Sequence, residues 1–394
     1  MASSKVLGDD DLLGEILHRV GSPTSLVRAA AVSRRWLRRA SDGAFLRRFR
    51  ARHPPRLLGF YVSGDWMPLP EFVPMPQPTY PELAAAVRRA SFRFDDLPEF
   101  SSSSVLGCRN GRVLVVDSHS RREPTTFTVR SPLRRPDGDA AVLPRPPSTC
   151  PHTILLPGDD GDDASCYYAA VDNPGGRISV QVSVLRSGAW TLLSSARAEL
   201  ATTSDRVSNV NLLAGGKLYM VAMADYIVEL DLAAERISLV SLPNGVEYEY
   251  FRNIVLSRGD AAAGAALYLV DVKGDLLRVW LRRTPDAGAG EWVLRDTISI
   301  RETCGHLVEQ SLDPAAPGEC VGCMVGVGDN AEFVFLELYP GGVVVYMDLG
   351  SRRVEKVYQR HPDNDEIIVV HPFLMIWPPV LPVLDALEGE AEHT

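Results

Sequence analysis

One recurring unit narrows the fold more than anything else in this chain. From about Gly59 onward, apolar residues come in short runs bounded by Gly, Asn, Asp and Pro. That is the pattern of β-strands separated by tight turns. The clearest runs are GRVLVVDS (111–118), RISVQVSVLRSGAWTLLS (177–194), GKLYMVAMADYIVELDLAAERISLVSL (216–242), AALYLVDVKGDLLRVWLRR (265–283) and EFVFLELYPGGVVVYMDLGSRRVEKVY (332–358). Several share a grammar: an apolar strand, a tight polar turn, a second strand ending in Asp-Leu (Asp231-Leu232, Asp348-Leu349) and a charged third strand. GAWTLLSS and GEWVLRDT add a small residue before tryptophan and a further strand. The closer spacings between units fit the ~40 to 50 residues of a four-stranded propeller blade. The wider ones leave room for inserted loops, such as LRRPDGDAAVLPRPPS and LPGDDGDDAS. No long helical stripe follows Val87–Ala90, which disfavours a parallel α/β sheet. The expectation is a large all-β, β-propeller-like domain, with a pair of β-sandwiches as the alternative that short strands leave open.

The N-terminal segment follows a different period. Leu12, Leu13, Ile16, Leu17 and Val20 form one stripe near 3.6 residues per turn. Asp9 to Asp11 precede it, His18 and Arg19 end it, and Gly21 follows, all in the places that suit a helix. Ser22-Pro23 resembles an N-cap with proline in the first turn. Leu26, Ala29, Ala30, Val32, Trp36 and Leu37 continue an apolar face with a kink expected near Val32-Ser33. Ser41-Asp42 can cap a last helix bearing Phe45, Leu46 and Phe49. Three to four short helices bury little on their own. The segmentation expected is a helical module at 1–56, a proline-rich linker or entry segment at 57–100, the β-domain at 101–385 and an acidic tail at 386–394. The fold class is therefore α+β and multidomain.

Charge divides along the same line. Residues 1–56 carry twelve basic side chains against five acidic (+7), and the remainder 29 against 45 (−16). A basic module points to an anionic partner, and an acidic β-domain argues against nucleic acid. The arginine pairs 34/35, 38/39 and 47/48 alternate with Trp36, Leu37 and Phe45-Leu46, a solvated face over an apolar one. No stretch reaches the ~20 apolar residues of a membrane span, and the opening MASSKVLGDDDLLGE lacks the basic and apolar regions of a signal peptide. A soluble intracellular protein of the cytoplasm or nucleus, with no membrane contact, is expected. The six thinly scattered cysteines then read as reduced thiols.

Chemistry-bearing motifs are sparse. Cys320-Val-Gly-Cys323 has zinc-knuckle spacing, with Cys304 and His306 upstream, but no second pair completes four ligands. G-x-S-x-G, H-E-x-x-H, the P-loop and G-x-G-x-x-G are all missing. The expectation is no metal, no cofactor and no catalytic residues.

The first fifty residues resemble an F-box. The family pattern has a leucine-rich first helix, a proline-bearing turn, a Val-Ser-basic-basic-Trp block and a closing Phe-bearing helix. It reads here as Leu12-Leu13 with Ile16-Leu17 and Val20, then Pro23, Leu26, Val32-Ser33-Arg34-Arg35-Trp36 and Phe45-Leu46. Asp9-Asp10-Asp11 stand where the family usually opens with Leu-Pro. The rest is similar in style to the propeller-like F-box-associated domains of plant F-box proteins. The resemblance implies a Skp1-like adaptor as partner, and through it a cullin, with Leu12, Leu13, Ile16, Leu17, Val20, Pro23, Leu26, Val32 and Trp36 as the contact set or its supporting core. About half of those should face the module's own interior. It implies a non-catalytic, substrate-recruiting subunit of a ubiquitin ligase. The rival is a scaffold that uses the same helices as an ordinary domain interface. The target protein would meet loops at one rim of the propeller, where Arg206, Tyr226, Tyr248, Tyr250 and Lys273 are candidates.

Overall fold

The computed structural model describes residues 9–53, 55–64, 67, 69–76, 81–94, 102–118, 125–133, 139–147, 152–157, 166–173, 176–200, 206–250, 252–259, 265–283, 290–308, 322–339, 342–360, 368–376, 379 and 381. Four helices come first: α1 (Asp10–His18), α2 (Pro23–Ala30), α3 (Arg34–Ala40) and α4 (Gly43–Arg52). Each starts on a side chain that accepts a hydrogen bond from an otherwise orphaned backbone N–H. Asp9 accepts from Asp11 and Leu12, Ser22 from Ser25, Ser33 from Trp36 and Asp42 from Phe45. Such caps contribute about 1 kcal/mol apiece. The kink expected near Val32-Ser33 is a full break. Ser33 is extended and caps a new helix, because its hydroxyl competes with helix continuation. Leu13, Leu17, Leu26, Ala30, Leu37, Ala40, Phe45 and Phe49 form the core of this module.

The remaining chain supplies β1 (Leu57–Gly64), β2 (Glu71–Pro74), a helix α5 (Pro81–Arg89), and then five up-and-down sheets. The first holds β3 (Ser102–Arg109), β4 (Arg112–Ser118), β5 (Thr126–Ser131) and β6 (Asp139–Val142). The second holds β7 (His152–Pro157), β8 (Cys166–Asp172), β9 (Arg177–Arg186) and β10 (Ala189–Glu199). The third holds β11 (Val207–Ala214), β12 (Lys217–Ala222), β13 (Tyr226–Asp231) and β14 (Arg236–Ser241). The fourth holds β15 (Ile254–Arg258), β16 (Ala265–Lys273), β17 (Leu276–Arg283) and β18 (Trp292–Ser299). After a short helix α6 (Ile300–Val308) comes the fifth, β19 (Gly322–Val327), β20 (Phe333–Leu338), β21 (Val343–Asp348) and β22 (Val354–Gln359). The last strand, β23 (Ile368–Leu374), pairs with β1, and β1 with β2, to make a sixth, three-stranded sheet. First strands touch between most neighbouring sheets (β3 with β7, β11 with β15, β15 with β19, and β23 with both β19 and β3), and the second and third sheets meet through a shared core and through β10 and β14. The result is a closed ring of six blades, a β-propeller.

The continuous apolar runs now have a reason. A strand in an antiparallel sheet usually alternates, because one face meets water. Here both faces of a blade are buried, since each blade packs on the blade before it and the blade after it. Val113 and Val115 of β4 enter one core while Leu114 between them enters the next. In β20, Phe333 and Phe335 face one neighbour while Val334 and Leu336 face the other. Six hydrophobic cores serve six blade interfaces. The small-residue–tryptophan motifs tie blades at their outer strands. The Nε1 of Trp190 donates to the Pro144 carbonyl at 2.9 Å, and that of Trp292 to the Ser241 carbonyl at 2.9 Å, each on the preceding blade.

Residues 57–100, expected as a proline-rich linker or entry segment, contain β1 and β2, two strands of the ring. β1 and β2 complete the blade that β23 begins, so both ends of the propeller meet in one sheet. Gly59 allows it: a Cβ there would stand 2.5 Å from the Val73 carbonyl oxygen and would collide with the Phe72 ring. Tyr61, Phe72, Phe92, Phe94 and Phe373 fill the seam. The five runs read from the sequence correspond to second strands, except that at 177, which is the third strand β9. First strands such as β3 and β11 are richer in Ser and Asn and hide in the sequence. Cys150, Cys320, the aspartate-rich loop at 158–165 and the tail at 386–394 lie outside the described residues.

Candidate functional site

The contact set implied for the helical module divides between inside and outside. Leu13, Leu17 and Leu26 are fully buried in the module's own core, and Pro23 is buried beside them. Val20 and Trp36 are half-buried and lean on that core. Leu12, Ile16 and Val32 remain outside, 45%, 38% and 66% exposed. Leu12 and Ile16 lie one helical turn apart on α1 and therefore share a face. Charge surrounds that face. Arg35 donates to Asp10 at 2.7 Å, and Arg39 reaches Asp11 at 4.0 Å, which joins α3 to α1. Arg38, Arg47 and Arg48 are exposed.

The module has a defined seat on the ring. In an up-and-down blade, the turns between first and second strands share one end, and the turns between second and third strands share the other with the blade-to-blade crossings. Asp329 sits in a short 3-10 turn (Asp329–Ala331) between β19 and β20, at the first end. Ser257 holds that turn, donating to the Gly328 carbonyl at 2.6 Å and accepting from the Ala331 N–H at 3.0 Å. Three arginines converge on the Asp329 carboxylate: Arg109 from the β3–β4 turn at 2.7 Å, Arg258 at the end of β15 at 3.9 Å, and Arg50 of α4 at 3.8 Å. Burial alone would raise this carboxyl, but Arg109, Arg258 and Arg50 outweigh it and hold it below its ordinary value. Leu381, beyond β23, packs on the module core. Sequence reasoning missed this clasp, since its four members lie up to hundreds of residues apart.

The opposite end of the ring carries the expected target loops. Arg206 precedes β11, Tyr226 opens β13, Tyr248 and Tyr250 lie between β14 and β15, and Lys273 ends β16. Topology puts all five at one end, away from the module. A buried ion cluster braces the same end. Glu337 of β20 is fully buried and is met by Arg252 and by the Nε of Arg360 at 2.9 Å. On the fourth blade a second buried carboxylate, Asp271 of β16, pairs with Arg278 and accepts from the Trp280 Nε1 at 2.8 Å.

Buried thiols offer no reactive group. Burial pushes Cys166 up to about 11 and Cys304 up to about 12, far from the thiolate form at neutral pH. Cys323 is buried in β19. Among the described residues, no three His, Cys, Asp or Glu side chains come together so as to hold a metal ion. No described helix is long and apolar enough to cross a membrane.

Comparison with known proteins agrees with both parts. Residues 10–52 match the F-box-like family model, and residues 104–381 match that of the F-box protein AT5G49610-like β-propeller. No curated protein sequence matches the chain. Among solved structures, a nidogen/laminin complex is similar at 12% identity and a TM-score of 0.29, over 68% of this chain and 98% of that one. A mutant of the Aleuria aurantia lectin AAL, in complex with Fucalpha1-6GlcNAc, is similar at 14% identity and a TM-score of 0.33, over 69% and 79%. The GH93 alpha-L-arabinofuranosidase of Fusarium graminearum with arabinobiose is similar at 10% identity and a TM-score of 0.33, over 73% and 86%. Likeness at this level says nothing of function. The two family models, the capped four-helix module and the six-bladed ring agree: the chain belongs to the F-box protein AT5G49610-like β-propeller family.

Proposed function

We propose that this protein is the substrate-recognition subunit of a Skp1–cullin–F-box ubiquitin ligase. One observation carries the reading. The module keeps Leu12, Ile16 and Val32 exposed although its core of eight side chains is complete without them. Surplus apolar surface on a small folded module suits a partner. A Skp1-like adaptor, acidic as a family, would meet Leu12 and Ile16 with Val20, Val32 and Trp36 beside them, while Leu13, Leu17, Pro23 and Leu26 support that surface from within. The exposed arginines would speed the encounter more than strengthen it. The adaptor would link the chain to a cullin, and the propeller would hold a target protein at the end away from the module. Ubiquitin transfer is then favoured by proximity, with the chemistry on other subunits. No catalytic residue, cofactor, nucleic acid or membrane is required of this chain, and an intracellular, cytoplasmic or nuclear setting suits it.

The test is a pull-down of purified Skp1-like adaptor by the full chain and by a Leu12→Asp, Ile16→Asp double variant. Binding by the wild type and its loss in a variant with unchanged circular dichroism is the expected result. A wild type that does not bind would end the ligase reading and favour a scaffold, in which the module serves only its seat on the ring.

A further inference from the structure

The end of the propeller away from the helical module carries an acidic, aromatic platform at the third and fourth blades, built from four loops. The loop after β14 contains the alternation Glu247-Tyr248-Glu249-Tyr250. It is held in one shape by Asn253, a buried side chain with all its work in this loop. Its Oδ1 accepts from the Glu249 and Tyr250 N–H groups, both at 3.2 Å, and its Nδ2 donates to the Glu247 carbonyl at 2.8 Å. The loop is tied to its surroundings at three more points. Arg278 donates to the Gly245 carbonyl at 3.0 Å, Lys273 pairs with Glu247 at 3.7 Å, and the Tyr248 hydroxyl is hydrogen-bonded to Ser208.

Backbone hydrogen bonds join the neighbouring loops. Leu242 donates its N–H to the Asp225 carbonyl at 2.9 Å, and Met223 donates its N–H to the Arg206 carbonyl at 2.6 Å. Leu276 stands opposite Lys273 across the β16–β17 turn. Met223, Tyr250 and Leu276 are exposed large side chains, gathered here from three different loops. Asp225, Glu247 and Glu249 are exposed among them, against Arg206 and a Lys273 already paired to Glu247.

We infer that this platform binds a target segment bearing arginine or lysine beside an apolar residue. The inference rests on the substrate-recruiting reading above and deepens it. Carboxylates alternating with phenol rings offer a cation both a charged partner and an aromatic face. Met223 and Leu276 supply the apolar contact. The surplus of Asp225, Glu247 and Glu249 over Arg206 and Lys273 disfavours phosphate-rich and acidic partners. A loop already ordered by Asn253 loses little freedom on binding.

The test selects a displayed random peptide library on the full chain, with adaptor binding measured in parallel. Enriched peptides should be rich in Arg or Lys next to apolar residues. The best of them should bind at least about tenfold more weakly to Tyr250→Ser and to Glu249→Lys, as expected for a central contact. Glu235→Lys, the same charge change at the module's end of the ring, should leave binding unaltered. Circular dichroism checks that each variant is folded. No enrichment, enrichment of acidic or neutral peptides, or equal binding to the platform variants would overturn the inference, and with adaptor still bound the ligase reading would survive. Platform-dependent basic peptides on a chain that fails to bind the adaptor would sink the ligase reading and leave the platform standing.

Discussion

In the helical module, eight apolar side chains from four helices meet in one core, and Leu12, Ile16 and Val32 stay outside it. In the propeller, six cores are shared pairwise among six blades, and its exposed large apolar side chains on strands fall mainly on the outer ones: Val142 of β6, Leu192 of β10, Leu239 of β14, Val293 and Leu294 of β18. The difference follows from closure. A ring that returns on itself leaves no blade face unfilled, so its free surface is confined to the outer strands and to the loops at its ends. A four-helix module of some forty residues has no such closure and leaves part of a helix face for something else.

Breaking the ring should have the largest effect. Deleting residues 57–76 removes β1 and β2 and leaves β23 without its partner, so the cooperative unfolding transition of the whole propeller should disappear. Deleting residues 1–53 should leave that transition in place. A ring that survives the first deletion would show that closure is not what holds it.

A single side chain sharpens the contrast next. Glu337→Gln leaves Arg252 and Arg360 buried beside a neutral amide and should cost about 3 to 5 kcal/mol in urea unfolding, as broken buried ion pairs do. Arg35→Ala, which removes the exposed pair with Asp10, should cost under about 1 kcal/mol. In the module, Phe45→Ala should cost about 3 to 5 kcal/mol and remove the module's share of the helical signal, with the propeller transition unchanged.

Acid should weaken the seam of the ring. Burial pushes the His371 imidazole of β23 down to about 4, from 6.5 in an unfolded chain. The folded state thus refuses a proton that the unfolded state takes, so stability is lost as pH falls from 6.5 toward 4. Between pH 7 and pH 5 the loss should reach up to about 2 kcal/mol. His371→Gln should flatten that slope in urea midpoints measured at the two values. The smallest effect is expected at the open face of the module. Leu12→Asp with Ile16→Asp should change stability by no more than about 0.5 kcal/mol, since surface substitutions rarely do more. A larger loss would mean that those residues belong to the fold rather than to a partner.

The legible parts share a property. Ser22-Pro23 and Asp42 announce helix starts within a few residues of the bonds they make, Val32-Ser33 announced only a kink where the chain breaks fully, and the second strands announce themselves because both of their faces are buried. First strands were hidden by their serines and asparagines, and α6 by a nine-residue length with no clear stripe. The GAWT and GEWV motifs were visible, but their purpose was not, because the carbonyls they reach belong to the preceding blade.

By itself the sequence determined the identity of the helical module, the all-β character of the rest and the split of charge between them. These are local quantities: caps, periods and composition act over a few residues. Tertiary structure alone decided that residues 57–76 close the ring with β23, that Arg50, Arg109 and Arg258 share one aspartate, and that Tyr226, Tyr250 and Lys273 face away from the module. Those arrangements join residues brought together only when the ring closes, and no short-range preference in the chain encodes which turn will face which end.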